Sequence, residues 1–381
     1  MKIAIFRTDS STQDPASYNS QEMGLARGFQ QLGHAVDIIM ASSTGRYSEK
    51  TVDGSSGAIR VIELPFRRIP VLNEPVYLTA GKLLRREQYD YVQVNEEGNF
   101  ASYLIARVCH KEGLRFGIYQ GMYRILSGRK WSLYEAIHHK LFRPMLRKHS
   151  VGAFCKTSNA MSFLNSKGYR NTHVVPVGLD FSKFEIRKDR DWRAHLNIGA
   201  KDQLVLYVGS LEKRRNPLFI AELAREARAD QHFVMVGNGP CRAELEAVQK
   251  EGNRRNLHLV GQLTQQELPD LYEQADVFIL PSDYEIYGMV VAESLFFGTP
   301  VVSTKTAGPI DILESDSQGC LIKTLNVTEW LAAINYYASA ALDKSGNARR
   351  RSYAEKRFDW VIIAPEYLRL VSEVSNDNKL V

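Results

Sequence analysis

Glu285 and Glu293, separated by seven residues, are the carboxylates of this 381-residue chain whose setting asks for a chemical role. Residues 277–280 are a short apolar run, Val-Phe-Ile-Leu, and predict a buried parallel strand. Pro281 and Ser282 end it. Gly288 then opens a helix that reaches residue 297, Gly298 stops it, and Thr299-Pro300 lead into another strand. Glu293 sits among Val290, Val291, Ala292, Leu295, Phe296 and Phe297, so most of its helix calls for burial. An unpaired carboxylate there is strongly unfavourable, and a partner or a bound ligand has to satisfy it. Glu285 lies just before the same helix, whose N-terminal amides can hold an anion. Together they would floor a pocket at the carboxyl end of a parallel sheet, where open α/β folds bind ligands. The plain alternative is a buried glutamate satisfied by an internal arginine or amide.

Three cations, Lys213, Arg214 and Arg215, follow a strand-ending glycine, Gly209. Such a cluster can stabilise a departing diphosphate, though standing alone it reads as a solvated basic turn. Gly237-Asn238-Gly239-Pro240 ends a further strand, but Arg242 stands where a dinucleotide fingerprint needs its third glycine.

The full string PSDYEIYGMVVAESLFFGTPVV, residues 281–302, resembles the Glu-x7-Glu region of retaining GT-B glycosyltransferases of family 4, the glycosyl transferases group 1. The resemblance implies an α/β fold of two Rossmann-like domains facing each other across a cleft. It also implies that Glu285 contacts the transferred sugar, that the backbone of Gly288, Met289 and Val290 meets sugar and diphosphate, and that Glu293 holds the ribose. Arg215 and Lys213 become catalytic cations, with Gly209, Ser210 and Arg214 beside the nucleotide sugar. Gly237, Gly239 and Leu263 fall in the loops near base and ribose, where UDP is favoured over GDP. The family usually has arginine one residue after the strand-ending glycine and lysine six after it; here these are Ser210 and Arg215. Arginine can replace lysine with a bidentate phosphate contact, whereas Ser210 offers only a neutral hydrogen bond. No metal or other cofactor is expected, and the Asp189-Arg190-Asp191 imitation of a metal motif is read as coincidence within a charged linker. On the acceptor side, position at strand ends selects Gln120 and Glu97.

These residues need two alternating strand–helix halves to hold them. The boundaries read as a first, acceptor-binding domain over 1–180, a linker over 181–200, and a nucleotide-sugar domain over 201–358. A last helix over 359–381 crosses back to the first domain. Composition agrees with a soluble globular protein, 44% hydrophobic and 24% charged. Four scattered cysteines without CxxC spacing suggest reduced thiols in a cytoplasmic setting, and no apolar run is long enough to span a membrane.

The net charge of +6 is uneven, +9 over residues 1–180 and −3 over 181–381. Residues 124–149 hold seven Lys/Arg against Glu135 alone. Trp131, Tyr134, Ile137, Leu141, Phe142 and Met145 recur there at helical spacing, with Lys140, Arg143 and Arg147 opposite and Pro144 as a kink. Such a helix suits an anionic membrane surface; the alternative is a helix packed on its own sheet. The expected partners are therefore a nucleotide-sugar donor, a glycan or lipid-linked acceptor and an anionic membrane, with no nucleic acid. Two other classes stay in view. One is a non-catalytic GT-B subunit that binds a glycan or a partner enzyme. The other is a Rossmann oxidoreductase, disfavoured because neither half carries GxGxxG.

Overall fold

A computed structural model describes residues 1–12, 20–54, 57–69, 74–124, 128–185, 187–251, 256–340 and 344–377. The chain divides into two units, Met1–Gly178 with Trp360–Val381, and Leu179–Asp359.

Unit 1 contains strands β1 (Lys2–Phe6), β2 (Ala35–Ala41), β3 (Ser48–Gly54), β4 (Gly57–Leu64), β5 (Phe66–Ile69), β6 (Glu74–Tyr77), β7 (Tyr91–Asn95), β8 (Phe116–Gln120), β9 (Ala153–Cys155) and β10 (Thr172–Val174). Eight of them form one sheet in the order β10-β9-β8-β7-β1-β2-β4-β3, parallel except for β3, while β5 and β6 pair as a separate antiparallel ribbon. The apolar runs of β1, β7 and β8 are buried along almost their whole length, as expected of parallel strands covered on both faces. Edge strand β3 reads Ser-Glu-Lys-Thr-Val-Asp-Gly, too polar to register as a strand from pattern alone.

The final helix, Trp360–Asp377, is part of unit 1 and packs on the helix Gln21–Gln31, whose N-cap Ser20 accepts a hydrogen bond from Met23 N. The approach is close because Gly24 and Gly28 have no side chains. A Cβ at Gly24 would lie 2.0 Å from Trp360 Nε1, and one at Gly28 would lie 2.7 Å from Ala364 Cβ. One turn further on, Tyr367 inserts among Phe29, Tyr91, Tyr119 and Phe154, its ring 4.6 Å from that of Phe154.

Unit 2 contains β11 (Gln203–Val208), β12 (Gln231–Val236), β13 (Leu257–Gly261), β14 (Val277–Leu280), β15 (Val301–Thr304) and β16 (Gly319–Ile322), all parallel, in the order β13-β12-β11-β14-β15-β16. Residues 181–200 are not a linker but part of this unit. Trp192 is buried, and the amides of Trp192 and Arg193 both donate to Gln274 Oε1. Arg193 pairs with Asp276 at 2.6 Å, and Arg190 N donates to Asp270. Asp191, half of the apparent metal motif, instead caps the short helix Trp192–His195. The charge run is thus consumed by carboxylates and backbone of its own unit, a pairing that composition alone does not reveal.

Gly24→Ala should destabilise unit 1 by about 1–3 kcal/mol, the usual cost of forcing atoms into a packed contact. Urea unfolding followed by tryptophan fluorescence is the check. An unchanged midpoint would mean that the helix Trp360–Asp377 yields freely at this contact.

Candidate functional site

In unit 2 the order of strand addition reverses between β11 and β14, which are neighbours in the sheet but distant in sequence. At such a seam the carboxyl-end loops diverge and leave a crevice. Gly209 and Ser210 leave β11, Gly237 and Gly239 follow β12, half-buried Leu263 follows β13, and Glu285 follows β14. Backbone bonds join these loops: Gly209 N donates to Val236 O, Leu211 N to Asn238 O, and Gly237 N to Gly261 O. Gly237 has φ 137°, and a Cβ there would lie 1.9 Å from Gly209 O, so no other residue fits.

The three cations, alike in sequence, separate in space. Arg214 donates to Glu212 and to Tyr284 O, and its own carbonyl accepts from Asp283 N at 2.8 Å. Asn216, with φ 50°, donates from Nδ2 to Pro281 O and to Asp283 Oδ1. These contacts stitch the basic turn to the loop after β14. Lys213 is exposed. Arg215 turns inward, its Nη1 3.0 Å from Oε1 of the buried Glu285 and close over Gly209.

Gly288, at φ 78°, caps the helix Met289–Phe296, and Met289 and Val290 form its half-buried first turn, where amide groups have no acceptor within the helix. Glu293 is buried one turn further on, and Tyr272 Oη donates to its Oε2 at 2.9 Å. Tyr272 lies on the helix Leu268–Gln274, and its ring stacks on Phe297 at 5.5 Å. This phenol is a partner of the kind that the apolar surroundings of Glu293 required. A tyrosine 21 positions upstream carried no signal of it in the sequence.

Unit 1 repeats the plan, with its seam between β1 and β7. A cavity of about 470 Å³ opens there, lined by Thr8, Asp9, Glu97, Asn99, Gln120, Trp131, Tyr134 and others. Gln120 and Glu97 do reach it, but both are engaged internally. Gln120 accepts from Glu97 N and donates to Met122 O, while Arg143 clasps Glu97 through Nε at 3.1 Å and Nη2 at 2.9 Å. Two residues that sequence reading passed over are Thr8, which lines the cavity, and Glu96, which holds the backbone of the lining residue Met122. Buried Thr8 donates to Asn95 O across the seam and accepts from Asn99 and Ser102. Glu96, a non-glycine at φ 59°, accepts from the amides of Gly121 and Met122, and burial raises its carboxyl pKa.

Arg143 corrects the amphipathic-helix expectation. Residues five apart on an α-helix lie about 140° apart, so Arg143 should face away from His138. Pro144 has no N–H to continue the α pattern. The segment His138–Phe142 therefore winds as a π-turn, with Arg143 N bonded to His138 O. The extra residue brings both side chains to the buried side, Arg143 only 1% exposed and bonded to Glu97, Glu135 and His139. Trp131, Tyr134, Phe142 and Met145 are half-buried, Trp131 and Tyr134 against the cavity. Leu133, Ile137 and Leu141 are the apolar residues left outside, 65%, 41% and 60% exposed.

Residues 188–357 match the family described as glycosyl transferases group 1. Among curated proteins, the chain is 24% identical over 330 residues to an uncharacterized glycosyltransferase of Methanocaldococcus jannaschii, covering 80% of each chain. It is 30% identical over 171 residues, 44% of each chain, to a GDP-mannose-dependent alpha-(1-6)-phosphatidylinositol dimannoside mannosyltransferase of Mycobacterium tuberculosis. HepE of Anabaena in complex with UDP superposes with a TM-score of 0.74 at 17% identity, over 98% of this chain and all of that one.

His138 generates a pH prediction. Burial first, and then the charge of Arg143, push its pKa from the ordinary 6.5 down to about 4. The unfolded chain therefore binds the extra proton between those values. The stability this neutral imidazole contributes is complete above pH 6.5 and is lost as pH falls toward 4, by about 3 kcal/mol. Urea midpoints across this range should fall more steeply for the wild type than for His138→Gln; parallel curves would show that His138 does not titrate on unfolding.

Proposed function

We infer from the group 1 match over residues 188–357 and from the GT-B fold that the chain is a group 1 glycosyltransferase, and we propose a retaining transfer from a nucleotide sugar, UDP favoured over GDP, to a glycan or lipid-linked saccharide in surface polysaccharide assembly. One observation carries this reading: an inward cation and a buried carboxylate, Arg215 and Glu285, meet at the seam between β11 and β14. A departing diphosphate needs positive charge where its own charge grows, and Arg215 with the first turn of Met289–Phe296 supplies it without a metal ion. Glu285 then faces the sugar, and Glu293, steadied by Tyr272, takes the ribose hydroxyls. UDP in the HepE complex supports the choice of base, while the mycobacterial relative keeps GDP in the comparison. The inward Arg215 argues against a binding-only subunit, since Ser210 does not leave the site without a cation.

In the same reading unit 1 receives the acceptor in its cavity, with Glu97 and Gln120 shaping the wall rather than touching substrate. The mycobacterial relative is a phosphatidylinositol dimannoside mannosyltransferase by name, which supports a lipid-linked class. No helix among the described residues is long and apolar enough to cross a membrane. Leu133, Ile137 and Leu141 instead form an exposed stripe flanked by exposed Lys130 and Lys140, on the helical stretch that lines the cavity with Trp131 and Tyr134. That surface supports peripheral attachment to an anionic leaflet.

Calorimetric titration with UDP and GDP tests the donor site. Glu293→Gln should stay folded and lose about 1–3 kcal/mol of affinity, the scale of a charged hydrogen bond. Unchanged binding would make Glu293 structural. For the membrane, co-sedimentation should show salt-sensitive binding to anionic vesicles that is lost in Leu133→Ser/Leu141→Ser. Equal binding to neutral vesicles, or none to either, refutes the attachment.

A further inference from the structure

Arg143 and Arg215 each meet a buried glutamate, and their contacts differ in kind. Arg143 holds Glu97 through two nitrogens, donates also to Glu135, and has His139 Nδ1 2.8 Å from Nη1. That is a saturated structural lock. Arg215 approaches Glu285 through Nη1, at 3.0 Å. Its buried Nε has no hydrogen-bond partner among the described residues, and Glu285 Oε1 accepts no well-aligned hydrogen bond. Both side chains are largely out of water, 17% and 7% exposed, and beyond the neighbouring Tyr207 hydroxyl the pair has few of the hydrogen bonds that normally offset desolvation.

The surrounding backbone does not depend on the pair. Arg214 and Asn216 already tie the basic turn to the loop after β14, so the Arg215 side chain can leave Glu285 while the turn stays in register. Its guanidinium lies over the bare Cα of Gly209, at the open end of β11. A diphosphate arriving there offers more negative charge than one carboxylate and more acceptor oxygens for a planar fork.

We propose that Glu285 and the diphosphate of the donor compete for Arg215, so that donor binding is an exchange of partners rather than the filling of an empty cation site. The idea rests on the nucleotide-sugar reading and adds a consequence to it. In the resting enzyme Glu285 masks Arg215 and lowers affinity for any nucleoside diphosphate. Once the diphosphate has taken Arg215, Glu285 is left without its cation and is satisfied by a hydroxyl of the bound sugar. A nucleoside diphosphate without its sugar cannot provide that hydroxyl, so the product is held less tightly than its charge alone would suggest. The same residue thereby favours the intact donor and helps to expel the product.

The test is a double-mutant cycle by calorimetry on the full chain, with UDP and GDP as probes. Glu285→Gln should bind the nucleoside diphosphate about three- to tenfold more tightly than wild type, and the gain should vanish in the Arg215→Ala background. Hydrolysis of the matching nucleotide sugar should fall in Glu285→Gln even as diphosphate affinity rises. Glu285→Asp, whose carboxylate ends one methylene short of Arg215, should show the same sign with a smaller gain and covers the case in which the glutamine variant does not fold. Equal or weaker diphosphate binding by both variants overturns the exchange, as does a gain that persists without Arg215. A wild-type chain that binds neither UDP nor GDP overturns the donor reading itself, and this one with it.

Discussion

The reversal of strand order is the constraint on which both units depend. In a parallel sheet each crossover helix covers one face, and neighbouring connections on the same side leave no gap at the strand ends. Where the order turns, between β1 and β7 in unit 1 and between β11 and β14 in unit 2, the connections leave in opposite directions. The crevice that results is lined by carboxyl-end loops and helix N-termini, so it combines fixed amide dipoles with freely chosen side chains. Most residues singled out for chemistry come from carboxyl-end loops or a first helical turn; Gln120 ends β8, Leu263 follows edge strand β13, and Glu293 projects from one turn deeper.

Charge is handled differently at the two seams. Under the unit 1 cavity Glu97, Glu135, Arg143 and Lys167 form a closed network, with Lys167 Nζ 2.6 Å from Glu135. Removing one member of such a network typically costs about 3–5 kcal/mol, because the remaining charge stays buried. Its function is to hold the π-turn and the cavity wall. In unit 2 the fixed contacts are made by Arg214 and Asn216, and the buried charge pair of Arg215 and Glu285 is left under-coordinated. Rigidity and exchangeable charge are assigned to different neighbours on one short turn, which is how a site can be preorganised and still change partners.

The helical stretch from Arg129 to His149 presents two different faces. One side presents Trp131 and Tyr134 to the cavity, and the other presents Leu133, Ile137 and Leu141 to solvent among lysines. The single inserted residue of the π-turn adds Arg143 to the buried side.

Much was determined by the sequence alone, because it rests on short-range pattern. The apolar runs of β11 and β14, Gly288 before the helix and Gly298 after it, and the spacing of Glu285 and Glu293 are local, and local sterics decide them. That Glu293 needed a partner was legible too, since burial of an apolar helix follows from its composition. The identity of that partner was not: Tyr272 stands on another helix, and only packing brings it within 2.9 Å. The same holds for the three adjacent cations, whose equal charges say nothing about which one turns inward until backbone bonds from Asp283 and Tyr284 orient the turn. Residues 181–200 looked solvated because their charges find acceptors about 80 positions away. Arg143 was misread for a subtler reason. A helical wheel assumes one period throughout, and a proline whose missing N–H inserts a residue changes which side faces in. Tertiary structure decided these points because each turns on a contact between segments, and sequence patterns report only the preferences of each segment by itself.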